Sequence, residues 1–159
     1  RFKKKEKKIN NLINALDLDL PPLNQALYGS DISKALSRYK EFTGVFDHDK
    51  LPDLARIKCI IVNIDLGSEG THWVALIRFL NNIYFYFDSF GGPALLEFEN
   101  IKASICFRSD LKVQDDHSVY CGHLCVIFVS FIIQTGLIRR NFECSTLEDI
   151  KSFLKYLTG

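Results

Sequence analysis

The chain has 159 residues, 47% of them hydrophobic and 25% charged, with a formal net charge of +1. That length and balance suit one folded domain and exclude a disordered or fibrous chain, and the near-zero charge argues against a protein held to nucleic acid by its overall field. The longest apolar stretch, Val126 to Ile133, is interrupted by Ser130 and falls far short of the roughly 20 residues of a membrane span.

The opening residues Arg1, Lys3, Lys4, Lys5, Lys7 and Lys8 make a basic N-terminal helix or extension over residues 1–20. The chain begins on Arg rather than Met, as a fragment or a processed chain does. No uninterrupted apolar region follows the basic residues, so a secretory signal is not expected. Ile9, Leu12, Ile13 and Leu16 follow helical spacing, and Pro21-Pro22 are expected to stop that helix. Ser30 is read as the cap of a second helix carrying Ile32, Ala35, Leu36 and Tyr39 on one face, with Gly44 in the loop beyond it. The β-branched run from Ile57 to Ile64 predicts a buried central strand.

Turn chemistry at Gly67-Ser68-Glu69-Gly70 returns the chain as a strand over 71–79, and after Asn81-Asn82 a further strand runs from Ile83 toward Asp88. Ser89-Phe90-Gly91-Gly92-Pro93 closes this meander, and a helix over 94–104 and a short strand ending near Val113-Gln114 follow. From Cys121 an almost wholly apolar helix runs to Gly136, and Ser145-Thr146-Leu147-Glu148 reads as the capping box of a last helix. The class is α+β: a small, mainly antiparallel sheet flanked by helices, with Cys121 at the N-terminus of a buried central helix.

His72 begins one strand and Asp88 ends the next, so antiparallel pairing brings them to the same end of the sheet. A two-residue turn at Asn81-Asn82 would place them on opposite faces; a three-residue loop or a bulge would align them, and one of these is expected. Cys121, at a helix N-terminus and near an imidazolium, is a candidate thiolate nucleophile, with His72 as its base and Asp88 orienting that base. Gln114 offers a side-chain amide beside the Cys121 backbone amide for an oxyanion. Gly122 would keep the approach to the sulfur open. Trp73 is read mainly as packing and substrate contact, with its ring within reach of the His72 imidazolium. His117 and His123 flank the site without reacting, His48 is exposed, and Cys125 belongs to the core. Five scattered cysteines without a Cys-x-x-Cys pair fit a reducing compartment and neither a disulfide scaffold nor a structural zinc site, so no metal or cofactor is expected.

Taken together, Gly70-Thr71-His72-Trp73-Val74, Tyr86-Phe87-Asp88-Ser89-Phe90-Gly91, Val113-Gln114 and Cys121-Gly122-His123-Leu124-Cys125 resemble the adenovirus-type maturation proteases and their Ulp1-like relatives. The likeness is greatest to the versions carried by virophages and Maverick/Polinton elements. The resemblance implies a single cysteine protease domain over 1–159, with His72 as general base, Asp88 as acidic partner, Gln114 in the oxyanion hole and Cys121 as nucleophile. Adenoviral members carry Glu where Asp88 stands and Pro where Ser89 stands, and Asp is shared with the Ulp1-like branch. The implied substrates are capsid precursors cut beside small or glycine residues, in the virion and the host cytoplasm or nucleus. A SUMO-type isopeptidase or a non-catalytic capsid-binding scaffold are the alternatives. An activating peptide, or weak DNA contact through the basic residues 1–8, completes the implied partners, and no membrane is among them.

Overall fold

The near-continuous apolar run over residues 57–64 requires burial on both faces, and the sheet built around it supplies that. The computed structural model describes residues 2–65, 71–93 and 105–159; the turn expected at 67–70 and the helix expected over 94–104 lie outside them. In chain order the elements are α1 (Phe2–Ala15), α2 (Gly29–Leu36), β1 (Phe42–Asp47), β2 (Cys59–Asp65), β3 (Thr71–Arg78), β4 (Ile83–Phe87), β5 (Ile105–Arg108), α3 (Cys121–Gln134) and α4 (Cys144–Thr158). Short 3₁₀ turns stand at Leu54–Arg56 and Leu137–Arg139.

The α+β class holds, with a five-stranded sheet in the order β1-β2-β3-β4-β5 and four helices flanking it among the described residues. Its two inner pairings are antiparallel, but the outer ones, β1 with β2 and β4 with β5, are parallel, so the sheet is mixed. Strand alternation divides the core. Cys59, Ile61, Ala75, Ile77, Phe85 and Phe87 face the helical side, whereas Ile60, Val62, Val74, Leu76, Tyr84 and Tyr86 form a second cluster with Phe46, Leu51 and Leu54. On the helical side α3 is buried along almost its whole length, and Phe128 stacks on Phe87 with ring centroids 4.5 Å apart and on Phe85 at 5.7 Å.

Several boundaries differ from the sequence reading, each for a local reason. The first helix stops well before Pro21. Asp17 adopts a left-handed φ of 56°, with Leu18 N bonded to Ile13 O at 3.0 Å and Asp17 N to Asn14 O at 3.1 Å. This is a Schellman closure with Asp in the place usually held by Gly. Ser30 is not the cap of α2; the Asp31 carboxylate accepts the Tyr28 amide at 2.8 Å. Gly44 is not in a loop but within β1, at the register irregularity between Phe42 and Gly44. The α4 cap lies two residues early, with Thr146 Oγ1 accepting the Glu143 amide at 3.3 Å. The strand expected to end near Gln114 is instead β5, Ile105–Arg108. Val113 and Gln114 leave the ladder because both their amides donate to one carbonyl, Ser89 O, at 2.7 and 2.9 Å.

Truncation of Phe128 to Ala should cost about 3–5 kcal/mol, because its ring is wholly buried between sheet and helices and the cavity cannot collapse against stacked aromatics. Urea unfolding of Phe128→Ala followed by far-UV circular dichroism measures this, with the midpoint falling and the slope unchanged.

Candidate active site

The β3–β4 connection decides whether His72 and Asp88 meet. Ala75 pairs with Phe87 and Arg78 with Tyr84; Phe79 N donates to Ile83 O at 2.9 Å, leaving Leu80, Asn81 and Asn82 as a three-residue loop. Asn82 closes it with a φ of 58°, a left-handed position that Asn tolerates. The odd loop gives residues 72 and 88 the same strand parity. The result is a contact of 2.7 Å between His72 Nε2 and Asp88 Oδ1, both side chains buried.

Asp88 is satisfied on several sides. Its Oδ1 also accepts the Phe90 amide at 2.9 Å, and the Gly92 amide donates to the same carboxylate. Burial works to raise the Asp88 pKa, but the His72 hydrogen bond and charge and these two amides outweigh it and hold the carboxyl below its ordinary value. For His72, burial works to lower the pKa, and the hydrogen bonds and charges of Asp88 and Cys121 overcome it, pushing the imidazole up to about 9. With Nε2 committed to Asp88, Nδ1 is the ring nitrogen left for the Cys121 sulfur. Phe90 lies over the imidazole, with ring centroids 4.9 Å apart.

Cys121, half-buried and free, is the first residue of α3. Its backbone N–H belongs to the first turn, whose amides have no intrahelical acceptor. Gln114 is buried and its amide is oriented at both ends: Ser89 Oγ donates to Oε1 at 2.6 Å, and Nε2 donates to Ser118 O at 3.0 Å. His72, Trp73, Gln114 and Cys121 line one cleft of about 700 Å³, together with Leu27, Phe90, His117 and Val119. Among the described residues no group of three His, Cys, Asp or Glu side chains is placed to hold a metal. Nor is any helix there long and apolar enough to cross a membrane.

Two expectations for the neighbours of the site change. The ring beside His72 is that of Phe90, not Trp73. Alternation along β3 turns residue 73 to the other face, where Trp73 Nε1 donates to Leu27 O at 3.1 Å. Gly122 serves close packing: a Cβ there would stand 3.1 Å from Leu27 and from the Trp73 ring. His123 is fully buried, with Nε2 2.8 Å from Pro21 O, and burial lowers its pKa despite the Pro21 and Pro22 carbonyls. His117 is exposed at the cleft with a φ of 66°, Cys125 is core, and His48 is half-buried rather than exposed. The reading of the sequence missed Ser89 and Leu27. Neither has a type-specific signal, since each acts through a position that only the folded chain defines.

No family model matches the chain, and no curated protein does. Among solved structures the chain is similar to the ASFV pS273R protease, at 14% identity and a TM-score of 0.51, over 89% of this chain and 70% of that one. It also matches a structure of AvrA with IP6 and CoA, at 14% identity and a TM-score of 0.48, over 83% of this chain and 52% of that one. The chain thus spans about half the length of AvrA. The chain shares its fold with the pS273R protease.

Two outcomes follow from the His72–Asp88 pair. Because the His72 pKa is raised to about 9, its pairing contributes stability that is complete below its unfolded value and is lost as pH rises through the folded one. The difference in unfolding free energy between the protein and His72→Gln should therefore shrink from about pH 6 to about pH 9.5 in paired urea titrations. The second concerns Gly92, where a Cβ would stand 2.7 Å from Asp88 Oδ2. Gly92→Ala should displace the carboxylate, and the His72 midpoint, followed by NMR of its ring protons, should fall below that of the unaltered protein.

Proposed function

We propose that the chain is a cysteine endopeptidase in which Cys121 is the nucleophile, His72 the proton carrier, Asp88 the group that orients and charges His72, and Gln114 an oxyanion donor. The observation that carries this reading is the buried Asp88–His72 contact of 2.7 Å, with His72 and Cys121 lining one cleft and the Cys121 sulfur acting on the His72 ring. The fold shared with the pS273R protease supports it.

In the reaction the Cys121 thiol proton resides on His72, and the sulfur attacks the carbonyl carbon of the peptide bond. The tetrahedral oxyanion takes the backbone N–H of Cys121 and the second N–H of Gln114 Nε2, the first being engaged by Ser118 O. The C–N bond breaks as His72 passes its proton to the leaving nitrogen, giving a free amine and a thioester on Cys121. Water, deprotonated by His72, then attacks the thioester carbonyl; the C–S bond breaks, the product leaves as a carboxylic acid, and the thiol is restored. Asp88 keeps the imidazole in the orientation and charge state the first transfer needs. Leu27, Trp73 and Phe90 around the sulfur favour small residues at the cut. A capsid precursor is the substrate we assign on the strength of the viral-protease fold.

A mixture-based peptide library, read by mass spectrometry, tests this with the unaltered chain and three variants. Cys121→Ala should abolish cleavage, Asp88→Asn should lower kcat/KM by roughly 10²–10⁴-fold, and Gln114→Ala by roughly 10²–10³-fold. Activity should decline on the basic side near pH 9, where His72 loses its proton. Cleavage that survives in Cys121→Ala, or alkylation of Cys121 no faster than of Cys144, would sink the reading.

A further inference from the structure

Away from the cleft, a second concavity of about 560 Å³ opens where α1, the end of α4 and the segment after β5 meet. Its lining includes Lys4, Lys5, Lys8, Lys112 and Asp115. The three α1 lysines are spaced i, i+1 and i+4, so they share one side of the helix, and Lys4 and Lys8 form a like-charge pair that an isolated helix disfavours. Lys112 faces them from the segment after β5. Lys8 Nζ donates to Tyr156 O at 2.9 Å, near the end of α4. The Lys5 ammonium stands 3.7 Å from Asp115 with its side chain only 16% exposed, and Lys112 pairs with Asp116. Four lysines therefore border one hollow, whose lining is completed by Asp115, Thr158 and Gly159 and supplies one side-chain carboxylate. Their mutual repulsion is relieved most by a ligand that carries several negative charges close together. A concave site of this size suits a compact ligand better than a duplex, whose phosphates lie along a convex rod.

We propose that this pocket binds a compact polyphosphate anion and that its occupancy is felt at the loop over residues 115–118. The coupling is local. Asp115 and Asp116 begin the loop and hold Lys5 and Lys112, the two lysines an anion would draw away. Ser118 N and Oγ both donate to Asp115 O, at 3.3 and 2.6 Å, and Tyr120 Oη lies 3.3 Å from Asp115 Oδ2. Gln114 Nε2 hangs from Ser118 O at 3.0 Å. Releasing the two aspartates loosens the loop that aims the Gln114 amide and forms one wall of the cleft. Binding stands apart from the proposed peptidase activity; only its catalytic consequence rests on that reading.

The test uses the full chain with Cys121→Ala, so its outcome does not depend on whether the protein cleaves peptides. Isothermal titration with inorganic tripolyphosphate at physiological salt should show saturable binding at one site. Binding should weaken by roughly tenfold or more when Lys4→Ala and Lys112→Ala are added, both side chains being exposed and tolerant of truncation. Hydrogen exchange at residues 115–118 should quicken when tripolyphosphate is bound. Absence of saturable binding, or binding undiminished in the double variant, overturns the site, and unchanged exchange overturns the coupling. A short DNA duplex that binds more tightly and displaces tripolyphosphate would replace the compact ligand with nucleic acid.

Discussion

The buried carboxylate of Asp88 is the constraint on which the rest of this end of the molecule depends. A carboxylate out of water is costly unless its oxygens are engaged, and here His72 and the amides of Phe90 and Gly92 engage them. To bring those amides round, the chain must leave β4 and curl back on itself. The same curl exposes the Ser89 carbonyl to Val113 and Gln114 and sets the Ser89 hydroxyl against the Gln114 side chain. One desolvated charge thus organises the end of the sheet, the ring that faces the sulfur, and the segment that leads into α3.

The second support is the apolar mass of α3. A helix buried on nearly every side is a rigid platform, and Phe128 against Phe85 and Phe87 fixes its distance from the sheet. Gly122 lets Leu27 and the Trp73 ring close against its first turn, so the cleft wall and the residue that carries the sulfur are packed as one body. The histidine next but one to that sulfur has a different task. His123 is buried, which lowers its pKa, and it holds the chain at Pro21. Two histidines near one cysteine are thereby sorted by environment: one faces a carboxylate and is driven toward the charged form, and the other sits in a dry site that favours the neutral form.

How much of this was legible in the sequence depended on whether the determinant was a residue type or a relation between distant residues. The buried run of β2, the polar break before Cys121 and the αL glycine at Gly136 are local signals, and they locate elements correctly. Requiring residues 72 and 88 to share a face also foretold an odd loop, and the Leu80–Asn82 connection has that form. Relations between distant residues were not legible. Gly44 reads as a loop glycine until β2 is beside it, and Asp17 hides a helix stop because its left-handed backbone leaves no mark in a sequence where Gly would have been conspicuous. Tryptophan at position 73 suggested a ring beside the imidazole. Alternation along the strand, a rule the sequence itself contains, sends it to the opposite face.

The cleft has one further property, which arises from where its walls lie along the polypeptide. Leu27 comes from the segment before α2, His72 from β3, Phe90 from the turn after β4, Gln114 and Val119 from the stretch before α3, and Cys121 from the first position of α3. As a nascent polypeptide emerges in that order, His72 and Asp88 are made well before Cys121. Residues of α1 and α2 share the core on the helical face, but the centre of that face, over β3, is covered by α3. Cover of β3 and completion of the cleft therefore both require α3. A chain that lacks α3 holds His72 and Asp88 without the cleft that joins them to Cys121.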